Sequence, residues 1–290
     1  MDQFANESPR LKKFRKKLIA TIPRFPNNKV TLQALQAMGL TELLVVYLGW
    51  KVRSVGMRPR QVIRAHLLDK DPKATALMPN IEALFRAVEA GDNLTPYLSL
   101  AAKSDGFTIP DPNHVKGLWA DKDFLLNAMG FHHFHLGLTK EAAGHIERTD
   151  QVLFALVGRD EFEVVGLFTH DVFEHDALGR MTPERRMLWS IYERRLAEGR
   201  LPGEMYIGGM SGMGVSGSGA PIAIVETAFH YIRQIRLYEK QLKNFEFAKT
   251  LYSDGCIPAT SKFEWGFNHL DLVLLDEAAS LRATIAKGPN

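Results

Sequence analysis

The sequence predicts an α+β protein: an antiparallel sheet, made of a three-strand meander plus a C-terminal strand, flanked by helices. Three observations carry this expectation. Apolar residues recur at helical spacing in the first third of the chain, alternate with polar ones between 131 and 170, and return to a helical stripe from 221 before a last apolar stretch. The organisation that follows is a mainly helical N-terminal region, 1–110, and an α+β region, 111–290. The change falls in a loop around Pro110, Asp111, Pro112 and Asn113.

Leu11, Phe14, Leu18 and Ile19 run through the basic stretch Arg10, Lys12, Lys13, Arg15, Lys16 and Lys17, which predicts an amphipathic basic helix broken by Pro23 and Pro26. Thr31, Leu32, Leu35 and Met38 predict a short second helix that Gly39 terminates, and Thr41 is placed to cap a third. That third helix passes Trp50 into a charged loop, because Pro59 keeps the residue before it out of helix. Ile81, Leu84, Phe85 and Val88 share one face of a helix over 79–90 with Gly91 as its stop.

Strands are expected at 131–138, 151–158 and 161–170, the last two joined by Arg159 and Asp160 as an antiparallel hairpin. A helix is expected over 183–199, a short strand at 205–207 before a glycine-rich loop, and a long helix over 221–249 on the stripe Ile224, Ala228, Ile232, Ile235 and Leu242. Residues 263–275 read as strand, with a last element at 280–285.

Composition bounds the rest. At 290 residues, 46% hydrophobic and 24% charged, the chain has the make-up of a folded globular protein. The single cysteine, Cys256, excludes an intramolecular disulfide, and the opening MDQFANESPR lacks the basic-then-apolar order of a secretory signal, so a cytoplasmic location is expected. The longest apolar stretches, such as 43–50 and 270–275, fall short of a bilayer, so no membrane is expected as a partner.

The chemistry concentrates between Phe131 and His175, which hold six of the ten histidines. Alternation along a strand puts His133 and His135 on one side with Phe131, and His132 on the other with Phe134 and Leu136. His170 ends the hairpin, where a loop can aim it at the first strand, and Arg148 precedes the middle one. Imidazole titrates near neutrality, so His133, His135 and His170 suit general acid–base catalysis, with Arg148 facing an anionic phosphate. That chemistry is phosphodiester cleavage with no cofactor. The alternative is a metal-dependent hydrolase in which His133, His135 and His170, with Asp171, bind zinc or another divalent transition metal. Structural histidines in a half-buried sheet are the third reading.

The strand order at 131–138, 151–158 and 161–170, with Arg148 before the middle strand and a terminal histidine, resembles the β-sheet half of the RelE/ParE-like toxin fold. The resemblance implies a compact antiparallel sheet and, as in the nuclease members, RNA cleavage without metal. A toxin or phage-defence role extends from it. Nucleic acid, RNA first, is the expected partner, with a homo-oligomer or an inhibitory protein as further expectations.

Two other segments suit phosphates. Trp50, Lys51, Arg53, Arg58, Arg60 and Arg64 combine an aromatic ring with five cations, as a nucleic-acid-binding patch requires; a non-catalytic binding or assembly component would use such a surface. Gly212, Gly214, Ser216 and Gly217 belong to a G-x-G-x-x-G run whose backbone N–H groups could hold an anion, although no acidic strand end follows to complete a dinucleotide fold.

Overall fold

A computed structural model describes residues 7–65, 68, 71–99, 106–109, 121–142, 144–198, 214, 220–252, 255–259 and 261–289, with 121–123 as backbone only. Contacts divide the chain into two units, each of which draws on segments from both sides of the expected 110/111 boundary. Unit 1 joins the two ends of the chain, Met1–Val52 and Ala223–Pro289, with Ser104–Ile109; unit 2 holds Arg53–Lys103 and Pro110–Ile222. The architecture is α+β in both.

Unit 1 opens with α1 (Pro9–Thr21), α2 (Lys29–Ala37) and α3 (Leu40–Lys51). Ser8 caps α1 through Leu11 N, and Asn28 caps α2 in a reciprocal box with Thr31. Gly39, not Thr41, is the cap residue of α3, with Glu42 reaching back to its N–H at 2.7 Å. The expected helix over 221–249 breaks in two: α7 (Ile222–Gln241) ends and α8 (Phe245–Lys249) restarts on Asn244, whose side chain accepts from Glu246 N and Phe247 N.

Past α8 the expected single strand is a hairpin, β5 (Glu264–Asn268) and β6 (Asp271–Asp276), turning at His269 and Leu270. With β7 (Leu281–Ala286) it forms a separate antiparallel sheet in the order β5-β6-β7. The core joins Phe14 and Leu18 of α1, Leu43, Leu44 and Leu48 of α3, and Ile224, Ala228 and Ile235 of α7 to Trp265, Leu272 and Leu274 of the sheet.

Unit 2 is a helix–sheet–helix sandwich. Its four strands, β1 (Gln61–Ile63), β2 (Phe131–His135), β3 (Gln151–Val157) and β4 (Glu161–Thr169), lie in the order β1-β4-β3-β2. The meander β2–β3–β4 is antiparallel throughout, and β1 adds in parallel to β4. On one face, Phe134, Leu153, Ala155, Phe162 and Val164 pack on Ile81, Leu84, Phe85 and Val88 of α4 (Pro72–Ala90). On the other, Phe131, Val152, Phe154 and Phe168 pack on α5 (Asp121–Met129) and on Leu188 of α6 (Pro183–Ala197).

Three details depart from the expected elements. Helix α4 starts at Pro72 and carries Pro79 inside it; Asp71 caps its start and Gly91, at φ 73°, its end. A side chain at Gly91 would also place its Cβ 2.5 Å from Pro59 N, so the stop and the close approach both demand glycine. Strand β2 ends at His135 because Leu136 N turns to the Thr149 hydroxyl, at 3.3 Å, instead of a ladder partner. Strand β1, three residues long, was concealed in the charged loop.

Candidate histidine site

The site starts from the bulge in the β3–β4 hairpin. The register shifts between Phe154 and Ala155, so that Phe154 faces Gly166 while Ala155 faces Val164, leaving Val165 as the extra residue. Before it, Phe162 and Val164 point to the α4 face; after it, Phe168 points to the α5/α6 face. Simple alternation from Phe162 would have sent residue 170 to the α4 side. The bulge moves this end of β4 to the face occupied by His133 and His135.

His135 pairs with Val152, which pairs with Phe168, so the three share a face across the meander. His170 opens a 3₁₀ turn, His170–Phe173, directly after β4. Its ring lies 5.9 Å from that of His135 at an interplanar angle of 22°, and His135 lies 6.0 Å from His133, edge to face. Phe173 closes the group, 5.0 Å from His133 and 6.0 Å from His170. His133, His135 and His170 are thus brought together, the first two by strand alternation and His170 by the bulge.

Their exposure separates them. His135 is 3% exposed, whereas His133 and His170 are half-buried. His170 Nδ1 lies 3.0 Å from the carbonyl oxygen of Asp150. A carbonyl only accepts, so Nδ1 carries the proton in this contact, and Nε2 makes no hydrogen bond among the described residues. Arg148 lies two residues before Asp150; it is exposed and forms no ion pair among the described residues.

The first turn of α6 holds the His170 turn in place. Thr182, its N-cap, donates its hydroxyl to Asp171 O at 2.7 Å, and buried Arg185 donates through Nη1 to Phe173 O at 3.3 Å. Glu184 accepts from Thr169 N at 3.4 Å and from Lys73 Nζ at 2.8 Å. The Glu184 hydrogen bond raises the pKa of Lys73 against the lowering effect of its partial burial. Sequence reading missed Phe173, Thr182, Glu184, Arg185 and Lys73. Thr182 and Pro183 advertise a helix start, but nothing in their spacing says which backbone the helix start holds.

The other expected sites fare differently. Among the described residues no group of three or more His, Cys, Asp or Glu side chains is placed to hold a metal ion. The Asp171 contact to the helix start is made by its carbonyl, and the imidazoles of His133, His135 and His170 meet one another as rings. Of the glycine-rich run, Gly212, Ser216 and Gly217 lie outside the described residues; Gly214 bonds Ala128 O through its N–H and accepts from Ile222 N.

The residues of the Trp50–Arg64 patch are divided between the two units. Trp50 and Lys51 belong to unit 1, where Trp50 packs edge-on to Tyr47 at 5.9 Å and Lys51 Nζ lies 5.5 Å from the Trp50 ring, its pKa lowered by burial. In unit 2, Arg53 and Arg60 are 3% and 4% exposed. Arg60 donates to the carbonyls of Gly158, Gly56 and Arg58 at 2.8–3.1 Å, and Gln61 N to Asp160 O at 2.9 Å. These bonds lay β1 beside β4. Arg58 is half-buried, and Arg64 is engaged by Glu82 at 2.5 Å and lies 5.1 Å from the Phe85 ring. Arg60 is held inside the fold by these carbonyls, and exposing its guanidinium would leave them without their donor.

A cavity of roughly 680 Å³ lies in unit 1, lined by Glu7, Leu11, Glu42, Ile232 and Arg236 among others, and includes none of the clustered histidines. Among the described residues no helix is long and apolar enough to cross a membrane. No protein-family model, curated protein or solved structure matches this chain.

Proposed function

We propose that unit 2 carries a metal-independent acid–base site that cleaves RNA, with His133 and His170 transferring protons and His135 positioning both. The observation that supports it is the ring sequence His133–His135–His170 at 6.0 and 5.9 Å, with only the middle imidazole buried. Two half-exposed bases joined through a buried third suit a reaction that takes one proton and returns another.

In this reading Nε2 of His170 accepts the proton of the ribose 2′-hydroxyl, whose oxygen bonds to the adjacent phosphorus. The bond from phosphorus to the 5′ oxygen breaks, and protonated His133 supplies the proton that oxygen needs. The products are a 2′,3′-cyclic phosphate and a 5′-hydroxyl. Arg148, exposed and unpaired among the described residues, offsets the charge that builds on the phosphoryl oxygens. The likeness of the meander to RelE/ParE-like toxins puts RNA first among phosphodiesters.

The test is cleavage of a defined single-stranded RNA in the presence of chelator. Wild-type protein is expected to yield a 2′,3′-cyclic phosphate end, and His170→Ala or His133→Ala to lose on the order of 10³-fold in rate. Undiminished cleavage in both variants, or cleavage abolished by chelator, overturns the proposal.

A further inference from the structure

The cations of α1 have different fates. Arg10 pairs with Glu239, Lys13 with Glu264, and buried Arg15 donates to the carbonyls of Gln36 and Met38. Lys16 and Lys17, in the second half of the helix, and Lys29, the first residue of α2, are exposed and form no ion pair among the described residues. The segment linking the two helices presents Phe25, 64% exposed, followed by Val30 at 61%.

Phe25 is not a frayed side chain. Its N–H donates to Phe107 O at 2.8 Å, and Phe107 N returns the bond to Pro23 O at 2.8 Å, in a parallel bridge between Arg24 and Phe107. The approach is close enough that a Cβ at Gly106 would lie 2.4 Å from Pro23 O. Arg24 is in turn tied to Asn27 Oδ1 at 2.8 Å. The backbone is pinned on both sides of Phe25 while the ring faces water. An exposed apolar ring held this way gains nothing from the fold.

We infer that residues 16–30 form a docking surface for single-stranded nucleic acid, with Phe25 as the stacking platform and Lys16, Lys17 and Lys29 as phosphate contacts. A base offers a π-face to a lone ring, and the exposed lysines of the same segment match a backbone of single negative charges. A bilayer suits the segment less well. Burying Phe25 in lipid would carry the adjacent Arg24 and Asn27 towards the apolar boundary, and Val30 is the one large apolar neighbour exposed beside it. The inference rests on the proposed RNA reading only for the choice of probe.

Binding is measured by fluorescence anisotropy of a labelled oligouridylate with full-length His170→Ala protein, so that cleavage cannot interfere. Phe25→Ala is expected to weaken binding about tenfold. Lys16→Gln with Lys17→Gln is expected to flatten the dependence of log affinity on log salt by about 1.4. Circular dichroism of these surface variants is expected to match the parent. Absence of oligonucleotide binding, or binding indifferent to all three substitutions, overturns the inference. So does preferential binding to anionic phosphatidylserine vesicles that the same substitutions abolish. If His170→Ala and His133→Ala both cleave as fast as wild type while these binding effects appear, the catalytic proposal fails and this surface stands.

Discussion

Two sheets in this protein place polar side chains among apolar ones, and they do so to opposite ends. In the C-terminal sheet the buried carboxylate of Asp276 is closed in by donors: Tyr252 Oη at 2.6 Å, Ala278 N at 3.1 Å and Lys262 N at 3.3 Å. In the central sheet the imidazoles of His133, His135 and His170 meet each other and Phe173, and His170 Nδ1 lies 3.0 Å from the carbonyl oxygen of Asp150. Charge that is fully answered inside a fold works as a fastener. The histidine cluster is instead the group on which the proposed proton transfer rests.

Removing each group and measuring stability separates the two roles. Asp276→Ala leaves a phenol and two backbone N–H groups without their acceptor, and a loss of about 4 kcal/mol in chemical denaturation is expected. Burial pushes the Asp276 pKa up, but the hydrogen bonds from Tyr252, Ser261 and the two backbone groups outweigh it and hold the carboxyl below its ordinary value. The stabilisation is therefore present above the ordinary carboxylate range and is lost as pH falls through the lower folded-state value.

Tyr252→Phe removes one of these donors and keeps the ring; about 2 kcal/mol is expected in the same denaturation experiment. A smaller effect belongs to the Glu163–Arg195 pair, whose second bond measures 2.7 Å on a partly exposed surface of unit 2. The Arg195 hydrogen bond holds Glu163 below its ordinary value against some burial. Its contribution is full above the unfolded-state carboxylate pKa and disappears as pH falls through the folded-state value. Glu163→Gln is expected to cost about 0.5 kcal/mol at neutral pH and nothing in acid, read from denaturation midpoints at several pH values.

His170→Ala is expected to change stability least, by under about 0.5 kcal/mol, because its side chain is half-exposed and holds one backbone contact. A loss as large as that of Asp276→Ala would remove the distinction between fastener and site.

Local signals in the chain were sufficient for much of the fold. The helical stripe through Phe14 and Leu18, the cap at Asn28, the stop at Gly91 and the hairpin at Arg159 and Asp160 all depend on neighbours within a few residues. The same local rules place His133 and His135 on one face, since a strand has a period of two. Long-range competition accounts for the departures. The run at 263–275 marks its turn only with Asn268 and Asp271 in a mostly apolar stretch, and the chain reverses at His269, which takes a φ of 54°, as Trp265, Leu272 and Leu274 all reach the core of unit 1. Arg53 and Arg60 look solvated in sequence, and only the Gly158, Gly56 and Arg58 carbonyls around Arg60 explain why that charge can be buried.

By itself the sequence determined the class of the fold, the three strands of the meander and the faces of His133 and His135. The tertiary structure decided the face of His170, through one extra residue at Val165 that no alternation pattern marks. It also decided that Thr182, Glu184 and Arg185 hold the turn carrying it. The physical reason is the same in both cases. Side-chain direction within an element follows from backbone geometry, whereas register between elements and the partner of a helix start are set by which long-range packing buries the most surface.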